Sequence, residues 1–161
     1  MNTTLLFRSL GLTALVALVA FTGCNSQPTS AINWTLTNTV WKCAELNGEM
    51  VGADKIPALQ LYTEGNRVNA FGGINNMTGT YTLNGSALSF GPLASTRMAG
   101  DPKQMKVEMQ FVLMLGTVTN YKIAGPWLVL MSGDKVVCRA QASAALTNAE
   151  TLTPPPLPPG K

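Results

Sequence analysis

The chain has 161 residues, 46% of them apolar and only 12% charged, with 11 basic side chains against 8 acidic ones. A single domain is expected at this length. It contains no histidine, which excludes imidazole acid–base work, histidine-activated nucleophiles and histidine metal ligands. The small, scattered positive balance also argues against a nucleic-acid partner, because such a surface needs Lys and Arg clustered on one face.

The first 23 residues read as an export signal. Arg8 supplies a short positive region, and the apolar run from Leu10 to Phe21 is too short for a membrane-spanning helix, which needs roughly 20 residues. The run ends in Phe21-Thr22-Gly23-Cys24, which resembles a bacterial lipobox, where a small residue precedes a cysteine acylated on sulfur before cleavage. Cys24 is therefore expected to become a lipid-bearing N-terminus, with ordinary secretion and a plain Cys24 thiol as the alternative. Losing Arg8 leaves 11 − 1 = 10 basic residues against 8 acidic, a net charge of +2. Attachment then rests on acyl chains, each buried CH2 contributing about 0.8 kcal/mol. Asn25, in place of aspartate, resembles the pattern sent to the outer membrane of Gram-negative bacteria. Residues 24–38, rich in Ser, Thr, Asn and Gln, read as a tether.

The domain is expected over 39–142. Val40 to Leu46 is the first strand, turned by Asn47-Gly48. Ala58 to Tyr62 alternates apolar and polar residues, and Glu64-Gly65-Asn66 turns it back into Arg67 to Phe71. Gly72, Gly73 and Gly79 bracket Asn75 and Asn76, so the chain bends sharply there. Thr80 to Leu83 and Ala87 to Phe90 form a hairpin around Asn84-Gly85, a pair suited to a type I′ turn.

Asp101 is a helix N-cap and Pro102 fits the first helical position, where its missing N–H costs nothing. Lys103, Lys106 and Gln110 share one side of this helix. Met105, Met109, Phe111, Val112 and Leu115 are expected to form the packing arc, with Glu108 partly covered at its edge. Gly116 closes the helix. Asn120 to Ala124, Trp127 to Met131 and Lys135 to Ala140 complete an α+β fold, mainly antiparallel β: about eight short strands in a partly closed barrel with one packed amphipathic helix. Residues 143–161 end in TLTPPPLPPGK, a proline-rich tail expected to be disordered or a spacer.

Phe71-Gly72-Gly73-Ile74-Asn75, then Gly79-Thr80-Tyr81, then Ser95-Thr96-Arg97-Met98-Ala99, resembles the META domain of the HslJ-like bacterial lipoproteins. That pattern runs roughly GGCN, G-x-Y and TTRMAC, then a helix with Met, Glu, Phe and Leu at fixed steps, here Met105, Glu108, Phe111 and Leu115. The family's two cysteines fall on Ile74 and Gly100. The resemblance implies a role in envelope integrity or stress tolerance, and marks Gly72, Gly73, Asn75, Gly79, Tyr81, Thr96, Arg97, Met98, Glu108 and Phe111 as motif residues.

Other candidate chemistry is sparse. Cys43 and Cys138 lie in the first and last strands, which a closed barrel makes neighbours. In an oxidising compartment they are expected to pair, with two buried free thiols as the alternative. A bridge over about 95 residues would stabilise the fold by roughly 4 to 5 kcal/mol on the loop-entropy account. Arg67 and Arg97, both taken to lie near the glycine bend, suggest either an anion site or structural arginines bonded to loop carbonyls or Glu108. Met105, Met109 and Met114 could line an adaptable pocket or simply fill core. The acidic residues show no calcium or zinc spacing, so neither metal nor cofactor is expected. The function that follows is a non-catalytic lipoprotein on the periplasmic face of the outer membrane, held by Cys24 and contacting an envelope protein. The alternative is a carrier of a small apolar ligand or lipid.

Overall fold

A computed structural model describes residues 33–52 and 55–143. The export signal, Cys24, most of the tether and the proline-rich stretch beyond Ser143 lie outside the described residues.

Among the described residues, ten strands and one long helix follow in the order β1 (Val40–Leu46), β2 (Glu49–Met50), β3 (Ala58–Tyr62), β4 (Arg67–Phe71), β5 (Asn76–Asn84), β6 (Ala87–Phe90), β7 (Ala94–Ser95), α1 (Pro102–Leu115), β8 (Asn120–Ala124), β9 (Trp127–Ser132) and β10 (Lys135–Ala142). Eight of the strands close an antiparallel ring in the order β1, β3, β4, β5, β6, β8, β9, β10 and back to β1. Two-residue β2 adds to β1, and two-residue β7 adds to β5 beyond the end of β6. Closure is uneven. β1 and β10 pair from Trp41↔Ala142 to Leu46↔Cys138, whereas β6 and β8 share one register pair, Ala87↔Asn120. Backbone bonds from Leu88 N to Thr119 O and from Tyr121 N to Ser86 O, each 3.0 Å, flank that narrow seam.

The period-two pattern explains the ring. In β3, Leu59 and Leu61 point inward, while Gln60 and Tyr62 are half-buried outside. Val68 and Ala70 do the same in β4, and Leu128 and Leu130 in β9. Register Glu45↔Arg139 puts the opposite charges of β1 and β10 beside each other, with Arg139 Nη1 donating to Glu45 Oε2 at 2.6 Å. Packing starts before β1: Leu36 is buried, and its carbonyl accepts the Trp41 indole N–H at 3.0 Å.

Strands β1, β3, β4, β6 and β8 have the bounds read from the sequence. β5 differs, because it begins at Asn76 directly after the bend: Phe71↔Asn76 through Arg67↔Thr80 pair with β4 before the hairpin to β6 starts. The same register separates the two arginines. Arg67 sits at the end of β4 away from the bend, about 13 Å of strand from Phe71 at the usual rise. Its guanidinium lies over the Tyr62 ring at 5.8 Å. Arg97 is exposed, and the structure does not bring the pair together as an anion site.

The helix begins as expected, with Asp101 Oδ1 accepting from Lys103 N at 2.9 Å and Gln104 N at 3.3 Å. Its packed face is different. Phe111, Met114 and Leu115 enter the core, joined by the polar Gln104, while Met105, Met109, Val112 and Leu113 are 47%, 58%, 39% and 65% exposed. The helix is held at its N-terminal half by polar bonds and at its C-terminal half by apolar burial, so the apolar residues do not mark one inward stripe. Met105 and Met109 therefore line no interior pocket, and Met114 is core.

This packing predicts unequal costs along one helix. Phe111→Ala should destabilise by about 3–5 kcal/mol through lost burial and a cavity. Leu113→Ala should stay within about 0.5 kcal/mol. Urea unfolding of both variants measures the contrast, and similar losses would mean the helix face is assigned wrongly.

Candidate functional site

Six of the motif residues, Gly72, Gly73, Asn75, Thr96, Met98 and Glu108, converge where α1 meets the link between β4 and β5, whereas Gly79 and Tyr81 lie further along β5, Tyr81 beyond the Arg67 end of β4. The link between β4 and β5, Gly72 to Asn75, turns beneath Glu108. The Glu108 carboxylate accepts from two successive backbone amides through Oε2, Ile74 N at 3.1 Å and Asn75 N at 2.6 Å. Its Oε1 accepts from Asn75 Nδ2 at 2.7 Å. An acidic side chain is needed here because all three partners are donors, and a carboxylate is an acceptor on both oxygens.

Asn75 is the hub. Its Nδ2 also donates to Met98 O at 3.1 Å, and its Oδ1 accepts from Met98 N at 2.7 Å and Thr96 Oγ1 at 2.8 Å. Two donors and two acceptors exhaust the hydrogen-bonding capacity of one amide, so the orientation of this buried side chain is unique. Thr96 Oγ1 accepts in turn from Asn76 N at 3.2 Å. One helical turn before Glu108, Gln104 performs a similar task on the loop leading to β3: Nε2 donates to Lys55 O at 2.7 Å and Oε1 accepts from Lys55 N at 3.4 Å. Gln104 and Glu108, four residues apart on one face, thus bind two different loops to the helix.

The glycines follow from this closeness. A Cβ on Gly72 would strike Glu108 Cγ, and one on Gly73 would strike Gln104 Nε2 and approach Lys55 O at 3.0 Å, with Gly73 also at φ +110°. Gly79 lets β5 run against Pro92 O, where a Cβ would come within 2.6 Å. Tyr81 is buried and donates to Tyr62 O at 3.1 Å; burial raises its phenol pKa above the ordinary value. Phe111 is fully buried below the clasp. The Met98 backbone serves the network while its side chain is 52% exposed. Arg97 makes no side-chain hydrogen bond among the described residues.

Positions 74 and 100, where the resembling family carries cysteines, adjoin here. A Cβ on Gly100 would lie 2.5 Å from Ile74 Cδ1 and 2.8 Å from Cγ1. The isoleucine occupies the space that a second side chain would need, so the two departures from the pattern compensate each other in volume. Beside them runs an open cleft of about 450 Å³ lined in part by Gly73, Ile74, Met98, Lys103 and Gln104.

Chemically, this arrangement is a clasp. Its carboxylate and amide are engaged with each other and with loop backbone, leaving them placed to hold the helix. Sequence reasoning missed Gln104 and Lys55, and the available signal was the i, i+4 step from Gln104 to Glu108. Cys43 and Cys138 lie elsewhere, in the core at the β1–β10 ladder. Among the described residues no cluster of three metal-ligating side chains occurs.

The clasp has a fixed polarity, which makes its variants informative. Glu108→Gln turns a donor toward either the paired amides or Asn75 Nδ2, and should cost roughly 2–3 kcal/mol in urea unfolding. Asn75→Asp should cost at least as much, because it sets a second carboxylate against Glu108 and the Met98 carbonyl. Gly100→Ala should destabilise alone and be relieved by Ile74→Ala, which removes the Cδ1 and Cγ1 atoms that the new Cβ would meet. Equal stability of Glu108→Gln and the parent protein would contradict the network.

Three solved structures share the fold. An NMR structure of a protein from Burkholderia xenovorans superposes with a TM-score of 0.53 at 24% identity, covering 67% of this chain and 83% of that one. A second NMR structure gives 0.54 at 18% identity, covering 71% and 99%. The crystal structure of a DUF4847 family protein from Bacteroides vulgatus gives 0.50 at 13% identity, covering 66% and 93%. Comparison with curated proteins finds no match. The META domain family model matches residues 34–144, which takes in the ring, the helix and every residue of the clasp: the chain belongs to the META domain family.

Proposed function

We propose that this META-domain chain is a non-catalytic lipoprotein, anchored through Cys24 on the periplasmic face of the outer membrane and acting in envelope integrity or stress tolerance by binding another envelope protein. The observation that carries the reading is the outward face of α1. Pro102, Met105, Met109, Val112 and Leu113 line a shallow open groove of about 530 Å³, edged by Lys106 and Glu108. Neighbouring large apolar side chains left this exposed are a usual mark of a contact surface. Methionine suits such a surface because its unbranched, polarizable side chain adapts to a partner.

Two further points support it. The polar groups of the motif serve one another, so the motif is accounted for by holding α1 in place. The interior beneath the helix is occupied by Trp41, Leu59, Leu61, Phe111, Met114, Leu115, Leu128 and Leu130, each at most 2% exposed. A carrier would need that space for its ligand. The partner is expected to present an apolar segment with a polar group to meet Lys106, as in helix-in-groove recognition.

Photocrosslinking in intact cells tests the idea. A crosslinking residue at Met109 or Leu113 of the full-length chain should capture one protein species, a residue at Thr82 on the hairpin should not, and Leu113→Asp should abolish capture from position 109. Crosslinks to lipid alone, or equally from all three positions, would overturn it. The anchor is tested separately: Cys24→Ser should move the chain from the membrane to the soluble fraction and remove palmitate labelling. Unchanged fractionation would refute the lipidated address.

A further inference from the structure

The first and last strands of the ring carry Cys43 and Cys138, whose sulfurs lie 3.2 Å apart although the residues are 95 positions apart in the chain. Both are wholly inside, 0% and 1% exposed, and both belong to the core. Directly across the ladder Cys43 faces Ala140 and Cys138 faces Leu46, so the two cysteines are diagonal neighbours on the inner face. Diagonal residues in a regular ladder stand further apart than directly opposed ones. Here the ladder is irregular: β1 shifts register between Cys43 and Glu45, and β10 shifts against β9 between Val136 and Cys138. Bulges of this kind bend a strand locally and re-aim its side chains. The sulfurs need to close by little more than 1 Å to reach the bonding separation of about 2.05 Å.

We propose that Cys43 and Cys138 form a disulfide that is made before the ring closes and is then sealed within it. The exported address of the preceding section would supply the oxidant, a protein or small-molecule disulfide. The thiolate of one cysteine attacks the oxidant's S–S bond, forming a mixed disulfide and releasing one oxidant thiol. The second cysteine's thiolate attacks the protein sulfur of that mixed disulfide, forming the Cys43–Cys138 bond and releasing the other oxidant thiol. Two electrons and two protons pass from the protein to the oxidant.

The timing follows from burial. Exchange requires a thiolate that an external sulfur can reach. In the closed ring neither cysteine is accessible, and the contact with the Cys43 sulfur, then burial, then nearby charge push the Cys138 thiol well above its ordinary range. The charged groups beside the pair are Glu45 on β1 and Arg139 on β10, already bonded to each other. The folded reduced protein therefore resists oxidation, and the folded oxidised protein resists reduction. Acylation of Cys24 would remove the remaining thiol from exchange, so one intramolecular pairing is left.

Intact mass and thiol labelling test this on the full chain. Taken from the periplasm and denatured in alkylating reagent, it should weigh two hydrogens less than the reduced form and take no label at Cys43 or Cys138. Refolding from urea with oxidised glutathione should give the same bond. Free thiols after that refolding would overturn the proposal. Free thiols only in cell-derived protein, with bonding on refolding, would instead overturn the exported address and leave the cross-link standing.

The sealing has its own readout. Folded reduced protein in oxidised glutathione should oxidise at least a hundredfold more slowly than the chain in urea, and equal rates would refute it. The cross-link should lower the unfolding constant on the order of a thousandfold. The oxidised and reduced urea midpoints should also diverge with pH. A thiol whose folded pKa is raised stabilises the reduced fold fully below its unfolded value of about 8.5, and that contribution is lost as pH rises toward the folded value. The oxidised form has no such proton to lose, so a constant difference from pH 7 to 10 would contradict the burial of free thiols in the reduced ring.

Discussion

A carboxylate seated on two successive backbone amides is the constraint on which the rest of this molecule depends. Glu108 of α1 receives Ile74 N and Asn75 N, and the Asn75 amide carries the same connection onward to Thr96 and Met98. These bonds join three segments far apart in sequence: the bend between β4 and β5, the approach to the helix, and the helix itself. An antiparallel ring gives its strands neighbours, but it does not by itself fix a helix across one end. The clasp does so with polar bonds, and the Phe111, Met114 and Leu115 side chains complete the seat by burial.

Holding a helix this way frees part of its apolar surface. Were α1 packed through an uninterrupted apolar stripe, Met105, Met109 and Val112 would be used inside. Because Gln104 and Glu108 anchor the first two turns through loop backbone, those side chains are left outside with Leu113. The motif that identifies the family and the surface proposed to bind a partner are thus two consequences of one arrangement. The same economy appears at positions 74 and 100, where a larger residue at one is matched by none at the other.

Much of the ring was legible in the chain because its signals are local. Asn84-Gly85 placed the hairpin, and the alternation of Leu59 and Leu61 with Gln60 and Tyr62 placed β3. Asp101-Pro102 marked the helix start, and the order of glycines, Asn75, Thr96 and Glu108 marked the motif. What stayed hidden was long-range. The first half of β5 reads Asn-Met-Thr-Gly without clear alternation, and only its pairing with β4 makes it a strand. The helix face was misread because hydrophobicity was taken as the guide to burial, whereas Gln104 is buried by its bonds to Lys55. Arg67 looked close to Arg97 in sequence terms, yet strand register carries it to the other end of β4.

Glu108 holds the Ile74 and Asn75 amides in the folded protein, and residue-resolved amide hydrogen exchange reads that hold at the two N–H groups themselves. These two N–H groups, though they lie in a loop, should exchange as slowly as the ladder amides of β3 and β4, and replacing Glu108 by alanine should release them while the ladder amides of β9 and β10 remain slow. Exchange of Ile74 and Asn75 in the parent protein at the rate of an exposed turn such as Asn84-Gly85 would contradict it.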